Sequence, residues 1–406
     1  MKEPAYTWIT TGSELRRYCQ RLAQCKSIAL DTEFVSERTY RPVLCLIQVA
    51  ADEELALIDA VALPQLRLFW KVLAEPGHET IVHAGRVEVE FSLEAIGEPP
   101  AGLFDVQVAA GLVGIDYPAG YSTLISKLLD VETRKEETRT DWRRRPLSQR
   151  QINYALDDIR YLPAIRDKLR ARLQQLDRAA WMAEEMALWE QEVVRGFSHE
   201  RWRRVSGNAG LDRQSLAIVR ELWRWREEEA KRRNCPPRRV LRDDLLVELA
   251  RRRTADPKRV HAVRGLERPD LRRQLPKIAE AIERAMSLDE AELPQVTRGE
   301  GKPRLSVLGQ FLFSALGSMA RQMDIAPGLV GSPNDVRDWI VYRAGQGAAD
   351  KPPLLAQGWR AQVVGKLFDE LLAGRLAIRV ADCESEHPLV FEPIPPCHIS
   401  NRSRGL

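Results

Sequence analysis

Two acids separated by one residue, Asp31-Thr32-Glu33, follow the apolar run Ser27-Ile28-Ala29-Leu30. A run of that kind reads as a short strand, and residues two apart in a strand share a face, so both carboxylates point the same way at its end. Adjacent hard oxygen donors invite a divalent cation. A second pair, Tyr154 and Asp158, is four residues apart in a helical stretch, which sets a phenol and a carboxylate on one face. A third segment, His83-Ala84-Gly85-Arg86-Val87-Glu88-Val89-Glu90, reads as a strand end passing into a helix with acids on its first turns, where they also complement the helix dipole.

The elements that position these residues follow from periodicity. An amphipathic helix spans about Thr11 to Gln24. Strands follow at Ser27 to Asp31, Val43 to Ala50 and Leu55 to Asp59, with Asp52-Glu53-Glu54 as a turn, so an antiparallel meander is expected. Leu66 to Leu73 reads as a helix, Thr80 to His83 as a strand and Arg86 to Ile96 as a helix. The order is β-β-β-α-β-α. From Gln107 onward the pattern is helical, ending in the long stretch Ser148 to Gln175.

The three acidic pieces, in this order, resemble the exonuclease motifs of the DEDD superfamily of 3′-to-5′ exonucleases, in the branch with a catalytic tyrosine; the best match is the bacterial ribonuclease D family. The resemblance rests on Ala29-Leu30-Asp31-Thr32-Glu33-Phe34 and on Val82-His83-Ala84-Gly85 followed by Phe104-Asp105-Val106-Gln107. It continues through Glu137-Thr138-Arg139-Thr140-Asp141-Trp142 and Arg145-Pro146-Leu147-Ser148 into Tyr154-Ala155-Leu156-Asp157-Asp158. It implies an α/β ribonuclease-H-like fold and two divalent cations, Mg2+ or Mn2+, bound by Asp31, Glu33, Glu88 and Asp158. It also implies that Asp31 bridges the ions, Glu33 binds one ion and the terminal ribose, Asp158 completes the first site and Tyr154 orients the attacking water. The chain departs from the family at Glu88, where an aspartate is expected. One extra methylene displaces the carboxylate oxygens by roughly 1.5 Å. Asp105 and Asp141 are expected in capping or loop roles and His83 in packing, while Lys135, Arg139 and Arg143-Arg144-Arg145 are candidates for a basic path along the substrate backbone.

The chain has 406 residues, 44% hydrophobic and 30% charged, enough for two or three domains. No stretch is apolar enough to span a membrane, and Met1 to Thr10 shows no export signal, so a cytoplasmic protein is expected. Six cysteines without a C-x-x-C pair exclude a zinc ribbon and a disulfide framework. Net charge is −5 over residues 1–190, +7 over 191–300 and +2 over 301–406. Acidic chemistry beside a phosphate-attracting surface fits that gradient.

Leu211 to Ala230 together with Val240 to Leu246 resembles the HRDC domain of ribonuclease D and RecQ-type helicases; the absence of a G-x-x-x-x-G-K-[ST] loop excludes a helicase. Leu305 to Val380 resembles, more faintly, a second HRDC-like domain, with helices at Leu308 to Arg321, Pro333 to Ala344 and Gly358 to Leu372. The expected division is an exonuclease domain over 1–190, an HRDC domain over 205–290, an all-α HRDC-like domain over 303–385 and an irregular tail over 386–406, with Ser287 to Lys302 as linker. The reading is a monomeric 3′-to-5′ exoribonuclease acting on RNA with a single-stranded 3′ end, such as tRNA precursors. Its rivals are a DNA-directed exonuclease of the same fold and a silent RNA-binding protein whose site has decayed at Glu88.

Overall fold

The computed structural model describes residues 5–132, 140–198, 200–296, 307–345, 352–384 and 387–394. A six-stranded mixed sheet organises the first domain. Its strands are β1 (Thr7–Ile9), β2 (Ser27–Val35), β3 (Val43–Ala51), β4 (Glu54–Asp59), β5 (Glu79–Val82) and β6 (Leu103–Asp105), in the spatial order β1-β4-β3-β2-β5-β6. The meander β2-β3-β4 is antiparallel as expected, and β1, β5 and β6 join it in parallel.

Sequence periodicity missed β1 and β6, each three residues long and too short to show alternation. It also ended β2 too early. The strand runs on through Asp31 and Glu33 to Val35, so both acids lie within the sheet rather than beyond it.

One face of the sheet buries Ile28, Leu30, Ile47 and Val49 beneath α1 (Gly12–Leu22), α2 (Arg67–Ala74) and α3 (Arg86–Ile96). A capping box between Thr11 and Glu14 starts α1. The other face receives α4 (Val106–Leu112), α5 (Tyr121–Leu129), α6 (Gln149–Arg160) and α7 (Leu162–Gln175). The stretch Ser148 to Gln175 divides into α6 and α7 because Pro163, at the second position of α7, has no N–H for the carbonyl four residues back. Helix α8 (Ala179–Ser198) then leads out of the domain.

The basic helical module has its own core. Helix α9 (Arg213–Arg233) packs Leu216, Ile218 and Leu222 against residues such as Leu246, Ile278 and Ile282. It meets the first domain at Tyr40, whose hydroxyl donates to Glu227 Oε2 at 3.1 Å and whose N–H donates to Asn234 Oδ1 at 3.2 Å.

The third module packs directly on the first domain. Leu312, Leu316, Trp339, Trp359 and Phe368 share one continuous core with Val108, Leu112, Leu162 and Ile165 of the first domain. Arg178 cements the seam by donating to the carbonyls of Leu112 (2.7 Å), Asp324 (2.8 Å) and Met323, and Trp359 stacks on Trp181 with ring centroids 5.3 Å apart. The tail expected to be irregular contains a strand, β8 (Leu389–Pro393), paired antiparallel with β7 (Leu376–Val380).

Cys19, Cys25, Cys45, Cys235 and Cys383 are free thiols, and Cys397 lies outside the described residues. Among the described residues no helix is long and apolar enough to cross a membrane.

Candidate active site

Pairing between β2 and β5 ends at Ala29↔Ile81, whereas β2 and β3 stay paired through Asp31↔Gln48 and Glu33↔Leu46. From Leu30 onward β2 has therefore lost its neighbour on one side. Asp31 and Glu33 share the face that α6 covers, and a register shift follows Glu33.

A capping box between Ser148 and Gln151 fixes the start of α6, and Ala155, Leu156 and Ile159 seat the helix. Tyr154 and Asp158 then face the strand acids. The Tyr154 phenol lies within the electrostatic influence of the Asp158 carboxylate, and its ring leans on Trp142 with centroids 6.1 Å apart.

The third acid depends on a tight turn. Ala84 has φ +54°, and the N–H groups of Ala84 and Gly85 donate to the two oxygens of Asp105 at 3.1 and 3.0 Å. Asp105 also accepts from Gln107 N–H at 2.8 Å and so caps α4, the role expected of it. A Cβ on residue 85 would lie 2.4 Å from Val82 Cγ2, which reserves the position for glycine. This turn launches α3 along the open edge of β2, and Glu88, buried there, accepts a 2.5 Å hydrogen bond from Thr32 Oγ1.

Electrostatics show how closely the acids crowd. Burial raises the Asp31 carboxyl well above the usual range, and Asp158, Glu88 and Glu33 raise it further. Glu33 is pushed up to about 8 by burial and then by Asp158 and Glu88. Glu88 rises to about 7 because burial outweighs the Thr32 hydrogen bond. Burial, followed by Asp158, Glu33 and Asp31, raises the Tyr154 phenol, so it keeps its proton throughout the neutral range.

Four crowded carboxylates supply hard oxygen donors whose repulsion a divalent cation would relieve, so the donor set fits such ions. Among the described residues no group of three or more histidine, cysteine, aspartate or glutamate side chains is gathered closely enough to hold a metal ion without rearrangement. The bond from Glu88 to Thr32 agrees with that open arrangement.

The expected basic path is only partly present. Arg145 chelates Asp59 through Nε (2.6 Å) and Nη2 (2.7 Å), which makes it an internal strut. Arg143 pairs with Asp141 at 3.0 Å, the loop role expected of that acid. Lys135 and Arg139 lie outside the described residues. His83 packs as expected, with Nε2 2.9 Å from Ala119 O and its ring 5.5 Å from that of Tyr121. Sequence reasoning missed Thr32 and Tyr121. Burial raises the phenol of the latter, the charges of Asp158 and Asp31 raise it further, and it donates to Asp157 O at 3.3 Å. A lone tyrosine at a helix start carries no motif signal.

A family model described as 3′-5′ exonuclease matches residues 6–174, and one described as HRDC domain matches residues 215–282. The chain is 34% identical over 383 residues to ribonuclease D of Granulibacter bethesdensis, covering 93% of this chain and 95% of that one. It is 35% identical over 379 residues to ribonuclease D of Acidiphilium cryptum, covering 92% and 95%. Among solved structures, RNase D of Escherichia coli superimposes with a TM-score of 0.78 at 27% identity, over 91% of this chain and 99% of that one. A mixed α/β exonuclease domain carrying its acids on β2, α3 and α6, an HRDC domain behind it, and likeness across almost the whole length agree: the chain belongs to the ribonuclease D family of hydrolytic exoribonucleases.

Proposed function

We propose that the protein trims the single-stranded 3′ ends of structured RNA, tRNA precursors among them, as a cytoplasmic monomer that releases nucleoside 5′-monophosphates. Two divalent cations, Mg2+ or Mn2+, would be held by Asp31, Glu33, Glu88 and Asp158. Bound there, they would supply Lewis-acid stabilisation of the attacking and leaving oxygens of an in-line displacement. The observation that carries this reading is the meeting of side chains from three distant segments in one crowded acidic cluster.

Each residue has a defined task. Asp31 lies between Asp158, Glu88 and Glu33 in their electrostatic influence, which suits a bridging ligand. Glu33 would hold one ion and the terminal ribose, and Asp158 would complete the first site. Tyr154, a neutral phenol beside the charge of Asp158, would orient the attacking water. The hold of Thr32 on Glu88 favours a second reading, a silent RNA-binding protein, because a carboxylate engaged elsewhere ligates poorly.

Incubation of 5′-labelled RNA with Mg2+, Mn2+ or chelator, beside Asp31→Ala and a matched DNA strand, separates these readings. A cation-dependent ladder that shortens from the 3′ end of RNA supports the exoribonuclease. Bound but uncut RNA under every condition supports the silent protein, and equal cleavage of DNA removes the ribose preference.

A further inference from the structure

Gln48 lies at the centre of β3, fully buried, and neither its Nε2 nor its Oε1 has a hydrogen-bond partner. A buried amide with both ends unmet is destabilising and rare, so it marks a place where something else completes the bonding. Its surroundings narrow the choice. Gln48 stands directly opposite Asp31 on β2 and Leu57 on β4, and its neighbours on the same face of β3 are Leu46 and Ala50. Ala155 and Ile159 of α6, both buried, cover this face of the sheet. By register, Asp31 is the polar group the amide faces.

We infer that Gln48 is a positioning residue for Asp31: unmet in the cation-free chain, its Nε2–H2 would donate to the Asp31 carboxylate when cations are bound and hold it in the cation-binding orientation. The inference rests on the two-cation reading above. It explains why an amide persists at a position where leucine or methionine would pack as well: groups that orient a metal ligand are retained at the expense of stability.

Gln48→Met keeps the volume and removes both unmet groups, so function and stability should move in opposite directions. Unfolding in chelator should shift up by about 2–4 °C. Mn2+ binding, measured by calorimetry on the full chain, should weaken by about 10- to 100-fold, with a matching rise in the Mn2+ concentration that supports half-maximal cleavage. Wild-type protein that binds no Mn2+ overturns the two-cation reading and this inference with it. Wild-type binding matched by unaltered binding in Gln48→Met overturns the inference alone. So does a Gln48→Met protein that is less stable in chelator or fails to fold, because the amide would then be serving the fold.

Discussion

Thr32 Oγ1 and Glu88 Oε1 lie 2.5 Å apart, joining the strand of the first two acids to the helix of the third. The bond forms where β2 has lost β5 as its neighbour, so Glu88 reaches the site along the strand edge.

Glu88→Asp withdraws the carboxylate by about 1.5 Å and releases it from Thr32. The Mg2+-supported rate should rise by about an order of magnitude, since misplacement of about 1 Å can cost on the order of 10²-fold. Cleavage rates across a Mg2+ and Mn2+ titration test this. An unchanged rate with unchanged cation dependence would mean that the extra methylene is immaterial.

Raised carboxyl groups also tie stability to pH. With Glu33 near 8 and Glu88 near 7 in the folded chain, the native state retains protons that the unfolded chain releases near 4.5. Their contribution is fully present below pH 4.5 and is lost as pH rises through 7 to 8. Thermal unfolding in chelator should show this decline, Glu33→Gln should blunt it, and Mg2+ should offset it near pH 8.

Tyr154→Phe removes the hydroxyl near Asp158 and leaves the ring against Trp142. The expected loss is about 10²-fold in kcat, the lower end of what a positioned proton-handling group contributes, with little change in KM or Mn2+ affinity. A fall in Mn2+ affinity as large as the fall in rate would show that the phenol serves the ligands instead.

The shared core predicts how the chain unfolds. Leu316 is fully buried in the cluster that joins the third module to the first domain, so Leu316→Ala should cost about 2–5 kcal/mol. Calorimetry should place that loss in the transition of the exonuclease domain. A transition confined to the third module would mean that the seam contributes little.

Local pattern carried much of this. The spacing of Asp31 with Glu33 and of Tyr154 with Asp158 needs only the periods of strand and helix, and both pairs meet on the expected faces. The helix at 333–343 was legible in the same way, from local periodicity. Short pieces were not. Strands β1 and β6 hold three residues each, too few to display a period.

What the tertiary structure decided are relations between distant residues. Arg145 reads as part of a basic run, yet a single acid 86 positions earlier, Asp59, turns it into an internal strut. Leu316 and Trp359 announce burial without naming what buries them, and only the fold sets them against Leu112 and Trp181. Glu88 and Gln48 make the same point at the site itself. An amino-acid sequence fixes which side chains share a local face, because backbone geometry repeats over a few residues. Whether a carboxylate finds a hydroxyl, or an amide finds nothing, depends on strand register and edge pairing, which come from contacts remote in the chain.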